Sequence, residues 1–303
     1  MKGKKMKYNI HDDFPEWNFE IKGASYAGRP EDGTMMYISK KVGHLLENLN
    51  GHVDCLCFIQ RGIDIPEDVS QFDNAIITVE NPQYEYAKFA TKFQMAERKK
   101  DIEKGYSFTE GGYYIGDNVQ IGENAYIEPG VLIGHDVIIG DNAVIMSGAV
   151  IKHSIIGSDF ICNENAVIGD YSFTMAEDDN GNKFRIPALG KIIIHDHVEV
   201  GACDDIAIGA CGNTVLDDYV KLDGLVHVGH EVHLGENTEI TAGVIVAGFV
   251  TIGVHSYLGV NSSIRNRIDL GDYCVIGMGA TVTKHVDAGI TVIGNPARKH
   301  ENI

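Results

Sequence analysis

Several features that would point to other classes of protein are missing from this sequence. It has no run of about 18 apolar residues, so no membrane span is predicted. Its start, MKGKKMKYNIHDDF, is basic but has no apolar core, which argues against a secretory signal and predicts a cytoplasmic protein. Lys and Arg number 25 against 43 Asp and Glu, and no long basic run occurs. Nucleic acid is therefore not an expected partner.

The six cysteines also form none of the usual patterns. They include no C-x-x-C pair, and their spacing fits neither a zinc ribbon nor a disulfide framework. We expect buried thiols in a reducing compartment. His227, His230 and His233 recur every three residues, but on the coil described next they fall on different sides. No metal ligands and no permanently bound cofactor are therefore predicted.

What the sequence has in abundance is a period of six. Aliphatic residues, or a cysteine, recur at this spacing in four runs separated by three breaks. The runs are Ile115, Ile121, Ile127, Ile133, Ile139, Ile145 and Ile151; then Ile156, Cys162 and Ile168; then Ile194, Val200 and Ile206; and last the twelve positions from Leu216 to Val282. This period is neither helical nor that of an alternating strand.

A period of six predicts a three-sided coil in which each hexad makes one side. The large aliphatic residue fills the interior, and glycine next to it, as in Ile121-Gly122, is expected to ease the corner. Residues 18 apart are then neighbours on adjacent coils, about 4.8 Å apart. We predict a mainly β fold, a parallel β-helix over residues 107–284. Residues 170–190 leave the period as a loop, and residues 285–303 form a C-terminal cap or tail.

Residues 1–106 lack the period and predict a separate α/β domain. MMYISKK, HVDCLCFIQ and AIITVE have the composition of strands, and KVGHLLENL lies between the first two as a helix. From Pro82 onward, Tyr86, Phe89, Ala90 and Phe93 recur at helical spacing, which predicts a helix leading into the coil.

His230 is the strongest candidate for a catalytic base among thirteen histidines. It lies two residues past Val228, near a corner, and its neighbours at minus and plus 18 are Gly212 and Gly248. Two glycines beside an outward imidazole would make a notch where a ligand can approach the backbone. An imidazole at such a notch could act as a general base, and the Gly248 N–H, about one strand spacing away, is a plausible oxyanion donor. The alternative is an exposed corner histidine beside two corner glycines.

Longer strings resemble a known family. ASYAGRPEDGTMMYISKK with VENPQYEYAKFA, FRIPALGKIIIHDHVEVGA, and GNTVLDDYVKLDGLVHVGHEVHLG are similar to UDP-3-O-acylglucosamine N-acyltransferases of lipid A synthesis, over residues 24–285. The resemblance implies a left-handed coil, a homotrimer, and acyl transfer to the amine of a nucleotide-linked sugar. It also implies His230 as general base, Gly248 as oxyanion donor, and Asp223 in the active-site polar network.

Substrate contacts follow from the same resemblance, with departures. The family's uracil site corresponds to Tyr37, Lys40 and Gly43, so one stacking aromatic is kept and a second is lost. Arg267 stands where the family has a second functional histidine, and it would bind a phosphate or carboxylate instead. Phe173, in the loop, is a further candidate substrate contact.

The acyl donor is either acyl carrier protein or coenzyme A. The ending VIGNPARKHENI resembles coenzyme A-dependent hexapeptide enzymes, with Arg298 and Lys299 as candidate phosphate contacts; the alternative is a solvated basic tail. Two other functions stay open. One is a coenzyme A-dependent O-acetyltransferase of a cell-surface sugar, and the other is a non-catalytic nucleotide-binding or scaffold trimer.

Overall fold

The computed structural model describes residues 7–69, 71, 73–296, 298 and 299, without the side chains of Glu97 and Lys100. By its internal contacts the chain divides into two units. The first comprises residues 1–103, 173–190 and 210–212, and the second comprises residues 104–172, 191–209 and 213–303. Most of the predicted loop 170–190 therefore groups with the N-terminal residues rather than with the coil.

The first unit is built on a four-stranded parallel sheet. Its strands, in order across the sheet, are Gly23–Ala24, Thr34–Ile38, Leu56–Gln60 and Ala75–Val79. Two antiparallel pairs accompany it, Tyr8–Asn9 with Glu20–Ile21 and Met175–Glu177 with Lys183–Arg185. The helical segments are Ile10–Asp12 and Lys40–Leu49, both 3₁₀ and the latter kinked at Val42, and the α-helix Pro82–Lys104. The predicted strands and helices are thus present.

Both faces of this sheet are covered because successive strand residues point to opposite sides. Met35 packs in one cluster, with Phe89 and Phe93 of the α-helix, and Ala176 and Ile186 of the hairpin segment join this cluster. Met36 packs in the other cluster, with Leu46 and Leu49 of the 3₁₀ segment. The segment 173–190 is therefore part of the core of the first unit.

The second unit is the predicted three-sided coil, whose flat sides we call faces A, B and C. Face A comprises Ser107–Phe108, Tyr114–Ile115, Leu132–Ile133, Val150–Ile151, Val167–Tyr171, Asp205–Ile208, His227–Val228, Ile245–Val246, Ser263–Ile264 and Thr281–Val282. Face B comprises Gln120–Ile121, Ile138–Ile139, Ser154–Ile156, Ile192–Ile194, Thr214–Leu216, His233–Leu234, Thr251–Ile252 and Asp269–Leu270. Face C comprises Tyr126–Ile127, Val144–Ile145, Ile161–Cys162, Glu199–Val200, Lys221–Leu222, Glu239–Ile240, Tyr257–Leu258, Val275–Ile276, Thr291–Ile293 and Arg298–Lys299. The two end pairs, Ser107–Phe108 with Tyr114–Ile115 and Thr291–Ile293 with Arg298–Lys299, are antiparallel, and all other pairs in these sheets are parallel.

The hexad aliphatics fill the coil interior, as predicted. Ile133, Ile151, Val228 and Val246, for example, are fully buried. Each such side chain contributes roughly 1.5–3 kcal/mol to folding, which stabilises a chain of two- and three-residue strands. Most left-handed corner positions are held by Asn, Asp and other side chains, as at Asn142 and Phe249, and a few by glycine, as at Gly130. The glycine after the aliphatic is instead required by space: a Cβ on Gly229 would lie 2.7 Å from the nitrogen of Gly248.

The register from one coil to the next decides which residues meet. His227 pairs with Ile245, and Ile245 with Ser263, so the predicted spacing of 18 is confirmed here. On the rung below, Asp205 pairs with His227, a spacing of 22. At a spacing of 22, the position that precedes His230 by one coil is Ile208 and not Gly212. The predicted notch between two glycines is therefore wrong on its lower side, because extra residues leave the coil after Ile208.

Asp204 is a carboxylate at an interior position of the coil. It is 1% exposed and accepts hydrogen bonds from the N–H groups of Gly201, at 2.7 Å, and Val226, at 2.8 Å. Burial raises its pKa to about 7, although these two hydrogen bonds favour the charged form. Between about pH 4 and pH 7 the folded protein therefore holds a proton that the unfolded chain releases, and its stability falls as the pH rises.

The cysteines only partly match the expectation of buried thiols. Cys55, Cys57, Cys162 and Cys274 are buried, but Cys203 is exposed and Cys211 is half-buried. Burial raises the pKa of Cys55 to about 11 and that of Cys162 to about 12, so these thiols are unreactive near neutral pH. The exposed position of Cys203 follows from its place at a corner, where its φ is positive.

Candidate active site

The candidate site lies at corner AB, which we define as the turn between face A and face B. His230, Gly248 and Arg267 occupy this corner on three successive coils. The Phe249 N–H donates to the carbonyl of His230 at 2.9 Å, and the Arg267 N–H donates to the carbonyl of Gly248 at 3.2 Å. The structure thus brings these three predicted site residues together in one column.

The imidazole of His230 lies directly over Gly248. A Cβ added to Gly248 would be 2.6 Å from His230 Nε2 and 2.8 Å from the adjacent ring carbons. The His230 side chain is 19% exposed, so the ring is half-sheltered but open to a ligand at the surface. Only glycine leaves room for the imidazole in this position. The Gly248 N–H donates no hydrogen bond to any group of the residues that the structure describes.

The other ring nitrogen of His230 is held by a carboxylate that the sequence reasoning missed. His230 Nδ1 makes a short hydrogen bond to the carboxylate of Glu231, whose side chain is only 5% exposed. The Glu231 N–H donates to the hydroxyl of Thr214 at 3.0 Å, and this fully buried hydroxyl donates to the carbonyl of Ala207 at 2.7 Å. With the carboxylate ionised, Nδ1 carries the proton of a neutral ring and Nε2 carries the lone pair.

Phe249 connects His230 with Arg267. Its ring meets the imidazole edge-to-face, with the ring centroids 5.0 Å apart, and the Arg267 guanidinium lies over the Phe249 ring, 4.0 Å from its centroid. Arg267 therefore takes a defined place one coil above Gly248 through a cation–π contact. Neither the position of Phe249 nor this contact was predicted from the sequence.

Asp223 is not brought to His230 within one chain. It follows Lys221–Leu222 of face C and lies at corner CA, between faces C and A, whereas His230 follows face A. Its carboxylate accepts the N–H of Gly224 at 2.7 Å, which is a corner contact. The two residues lie at different corners because seven residues of separation cross one complete side of the coil, and the role of Asp223 in the active-site polar network stays a prediction. Asp223 lines an open groove of about 570 Å³ with Glu199, Lys221 and Glu239.

The remaining predicted contacts lie elsewhere. Arg298 and Lys299 form the last strand of face C, away from corner AB. In the first unit, the Tyr37 ring packs 5.2 Å from that of Tyr86, so it belongs in part to the core. The backbone N–H of Lys40 donates to Gln60. Phe173 is 77% exposed, with the Arg185 guanidinium 5.2 Å from its ring.

The three histidines at three-residue spacing pair with three different carboxylates. His227 contacts Asp205 at 2.8 Å and His233 contacts Asp217 at 2.7 Å, while His230 contacts Glu231. Among the described residues, no group of three His, Cys, Asp or Glu side chains is arranged to hold a metal ion. Over the same residues, no helix is both long enough and apolar enough to cross a bilayer.

Comparison with known families identifies the repeats. The family described as "Bacterial transferase hexapeptide (six repeats)" matches residues 118–153. The family described as "Hexapeptide repeat of succinyl-transferase" matches residues 249–284, which include Phe249 and Arg267. The coil is a hexapeptide-repeat coil.

Curated relatives of this hexapeptide-repeat chain include UDP-3-O-acylglucosamine N-acyltransferases. The protein of that name from Caulobacter sp. (strain K31) is 34% identical over 143 residues, 47% of this chain and 42% of the relative. "UDP-3-O-acylglucosamine N-acyltransferase 2" from Legionella pneumophila (strain Lens) is 36% identical over 142 residues, 47% of this chain and 41% of the relative. The resemblance stated from the sequence is confirmed. The chain spans about two fifths of the length of these relatives.

Solved structures show the fold. The UDP-N-acetylglucosamine acyltransferase from Campylobacter jejuni has a TM-score of 0.57 and 21% identity, covering 62% of this chain and 72% of that one. The enzyme of the same description from Bacteroides fragilis 9343 has a TM-score of 0.54 and 23% identity, covering 63% and 73%. The prediction of a left-handed parallel β-helix is thereby confirmed.

Proposed function

We propose that this protein transfers an acyl group from a thioester to the amine of a nucleotide-linked amino sugar, with His230 as the general base. The observation that carries the proposal is the partly exposed imidazole held between Glu231 and Gly248, with Nε2 over the buried glycine. An imidazole that is oriented by a carboxylate and open on its other nitrogen is suited to accept a proton. The names of the curated relatives support the same reaction class.

In the proposed reaction the sugar amine attacks the thioester carbonyl. A C–N bond forms while His230 Nε2 takes the proton that the nitrogen loses. The tetrahedral intermediate then breaks its C–S bond, and the proton on Nε2 passes to the departing thiolate. The products are an amide and a free thiol, and the imidazole is neutral again. Glu231 keeps the proton on Nδ1 throughout and stabilises the transient imidazolium.

The negative charge of the intermediate needs a donor, and we assign this role to the Gly248 N–H. This group lies beside the imidazole and has no acceptor among the described residues. A fixed backbone donor at the developing oxyanion lowers the barrier without reorganisation, typically by about 3–4 kcal/mol. Gly248 therefore has two roles in this proposal: its lack of a Cβ leaves space for the imidazole, and its N–H donates a hydrogen bond to the oxyanion.

The substrates are assigned by chemical class. The nucleotide is proposed to bind the first unit, where Tyr37, Lys40 and Phe173 stay candidate contacts. The donor is an acyl thioester of acyl carrier protein or coenzyme A, with Arg267 as an anion contact above Gly248. Cytoplasmic donors of this kind would place the enzyme in the cytoplasm.

We further propose a homotrimer with the site between neighbouring coils. Face B presents a row of half-exposed aliphatic side chains on four successive coils, which suits contact with a second copy. These are Ile138, Ile155, Ile193 and Val215. Assembly would also offer a way for corner CA of one chain, with Asp223, to meet corner AB of another. Sedimentation at micromolar concentration tests this, and a monomer would remove the intersubunit site.

Product analysis tests the function. The protein is incubated with mixed acyl thioesters and UDP- or dTDP-linked sugars bearing either an amine or a hydroxyl, and the products are analysed by mass spectrometry. We expect an amide product, which His230→Ala should nearly abolish while substrate binding persists. Formation of an ester instead would favour the O-acetyltransferase. Full turnover by His230→Ala would remove this residue from the mechanism, and no thioester binding at all would favour a scaffold.

A further inference from the structure

A basic groove lies at corner AB on the coils above Gly248. It has a volume of about 440 Å³, and its lining includes Arg265, Arg267, Lys284 and His285. Both arginines and Lys284 are exposed, and Arg265 Nη1 donates to the carbonyl of Thr283 at 3.4 Å. We call this surface the basic groove.

The charge of this groove is unusual for the chain. The formal net charge is −18, yet none of Arg265, Arg267 and Lys284 forms an ion pair with an acidic side chain among the residues that the structure describes. His285, by contrast, lies 3.3 Å from the carboxylate of Asp269. Three unpaired cations in one concavity of an acidic protein create a local positive potential that attracts anions.

The position of the groove relates it to the reaction centre. Gly248 lies one coil above His230, Arg265 and Arg267 two coils above, and Lys284 three coils above. At about 4.8 Å per coil, the cations lie roughly 10–14 Å along the same corner from the imidazole. A ligand whose reactive end is at His230 would thus carry its anionic end, on an extended arm, in this groove.

We propose that the basic groove binds the phosphates of a coenzyme A thioester, which would make coenzyme A rather than a carrier protein the acyl donor. This inference rests on the acyltransferase function proposed above. Coenzyme A carries a diphosphate and a 3′-phosphate at the far end of its pantetheine arm, so several phosphate oxygens meet three cations. An open concavity of this size fits a small ligand. The single phosphodiester on a carrier protein would leave most of this charge unused.

The groove also replaces the phosphate contacts that the sequence suggested. Arg298 and Lys299 end face C, whereas a thioester reacting at His230 must follow corner AB. Arg265, Arg267 and Lys284 share that corner with the imidazole. The donor site is therefore assigned to the coils just above the base and not to the last strand.

Calorimetric titration of the protein with coenzyme A tests the assignment. We expect affinity to decrease from coenzyme A to 3′-dephospho-coenzyme A to pantetheine, and to weaken with added salt. The double variant Arg265→Gln, Lys284→Gln should bind coenzyme A about 100-fold more weakly, roughly tenfold for each lost charged contact. Lys152→Gln is the matched control, because Lys152 follows face A as Arg265 does but lies below His230. This control should bind coenzyme A as the wild type does.

The outcomes separate this inference from the proposed function. His230→Ala should lose turnover and still bind coenzyme A. The role of His230 as base and the role of the basic groove in binding are therefore tested by separate measurements. Wild-type affinity in the double variant would overturn the assignment, as would tight binding of holo-carrier protein with none of coenzyme A. Weakened binding of the sugar nucleotide alone would assign the groove to the acceptor and also overturn it. If circular dichroism shows that the double variant is unfolded, the wild type is titrated with coenzyme A in the presence of adenosine 3′,5′-bisphosphate. The proposal is refuted if this bisphosphate does not compete with coenzyme A.

Discussion

Replacing Gly248 by alanine tests the geometry on which the proposed reaction depends. The new Cβ would lie 2.6 Å from His230 Nε2, whereas non-bonded heavy atoms prefer about 3.5 Å, so the ring must move by about 0.9 Å. A displacement of about 1 Å costs roughly 100-fold in rate when the reacting groups must be aligned. Because the atoms met are the tip of a side chain and not backbone, we expect the stability loss to be only about 1 kcal/mol.

Gly235→Ala is the matched control for overpacking. Its Cβ would meet only backbone, at 2.8 Å from the nitrogen of Val254 and 2.9 Å from the carbonyl oxygen of Ile252. This variant should lose more stability, about 3 kcal/mol, and keep its kcat once folded. Turnover of the amino sugar nucleotide measures the rate, urea unfolding measures the stability, and ¹⁵N NMR of the His230 ring reports its displacement. Normal kcat in Gly248→Ala with an unshifted His230 signal would refute the reasoning.

Three further predictions follow from neighbouring contacts. Glu231→Gln should lower kcat about 100-fold with little change in KM, since the ring loses its charged partner; an equal loss in KM would instead indicate a role in binding. In the wild type, the unfolding free energy should decrease between about pH 4 and pH 7 by up to about 1.4 kcal/mol per pH unit, and Asp204→Val should lose this decrease. Urea unfolding that gives parallel pH profiles for the wild type and the variant would contradict this. Phe249→Ala should free the Arg267 guanidinium and raise KM for the thioester in steady-state assays, and an unchanged KM would separate Arg267 from donor binding.

The coil could be predicted because the six-residue period of aliphatic residues that produces it is visible in the sequence. An aliphatic residue stands at every sixth position, as in Val228, Leu234 and Ile240, and all of these can be buried if each turn of the coil has three sides. The same spacing placed His230 beside Gly248. The strands and helices of the first unit followed from ordinary periodicity and composition.

The failures have definite physical reasons. Gly212 was placed beside His230 on the assumption of an unbroken spacing of 18, but a spacing of 22 precedes His227. Asp204 could have been noticed, because it stands two residues before Ile206 as Val226 stands two before Val228.

Glu231 offered no comparable signal. Adjacent residues usually point in different directions, and only a positive φ at Glu231 turns its carboxylate back towards the ring of His230. The sequence does not predict this conformation for a glutamate, because positive φ is uncommon for residues other than glycine, asparagine and aspartate. Phe249 and Arg267 share the same corner conformation, so their contact was hidden for the same reason.

The regular stacking of coils above His227 means that the distance between the imidazole and the basic groove can change in steps of one coil. Ile245, Ser263 and Thr281 follow one another in equal steps of 18 residues, so one further segment of 18 residues could be inserted without changing the register of the other coils. An insertion between Ile252 and Ser263 would leave Gly248 in place and move the arginines away from the imidazole by one coil, about 4.8 Å. Evolution or design can therefore retune the length of the bound arm by counting residues, with no need to reshape the scaffold.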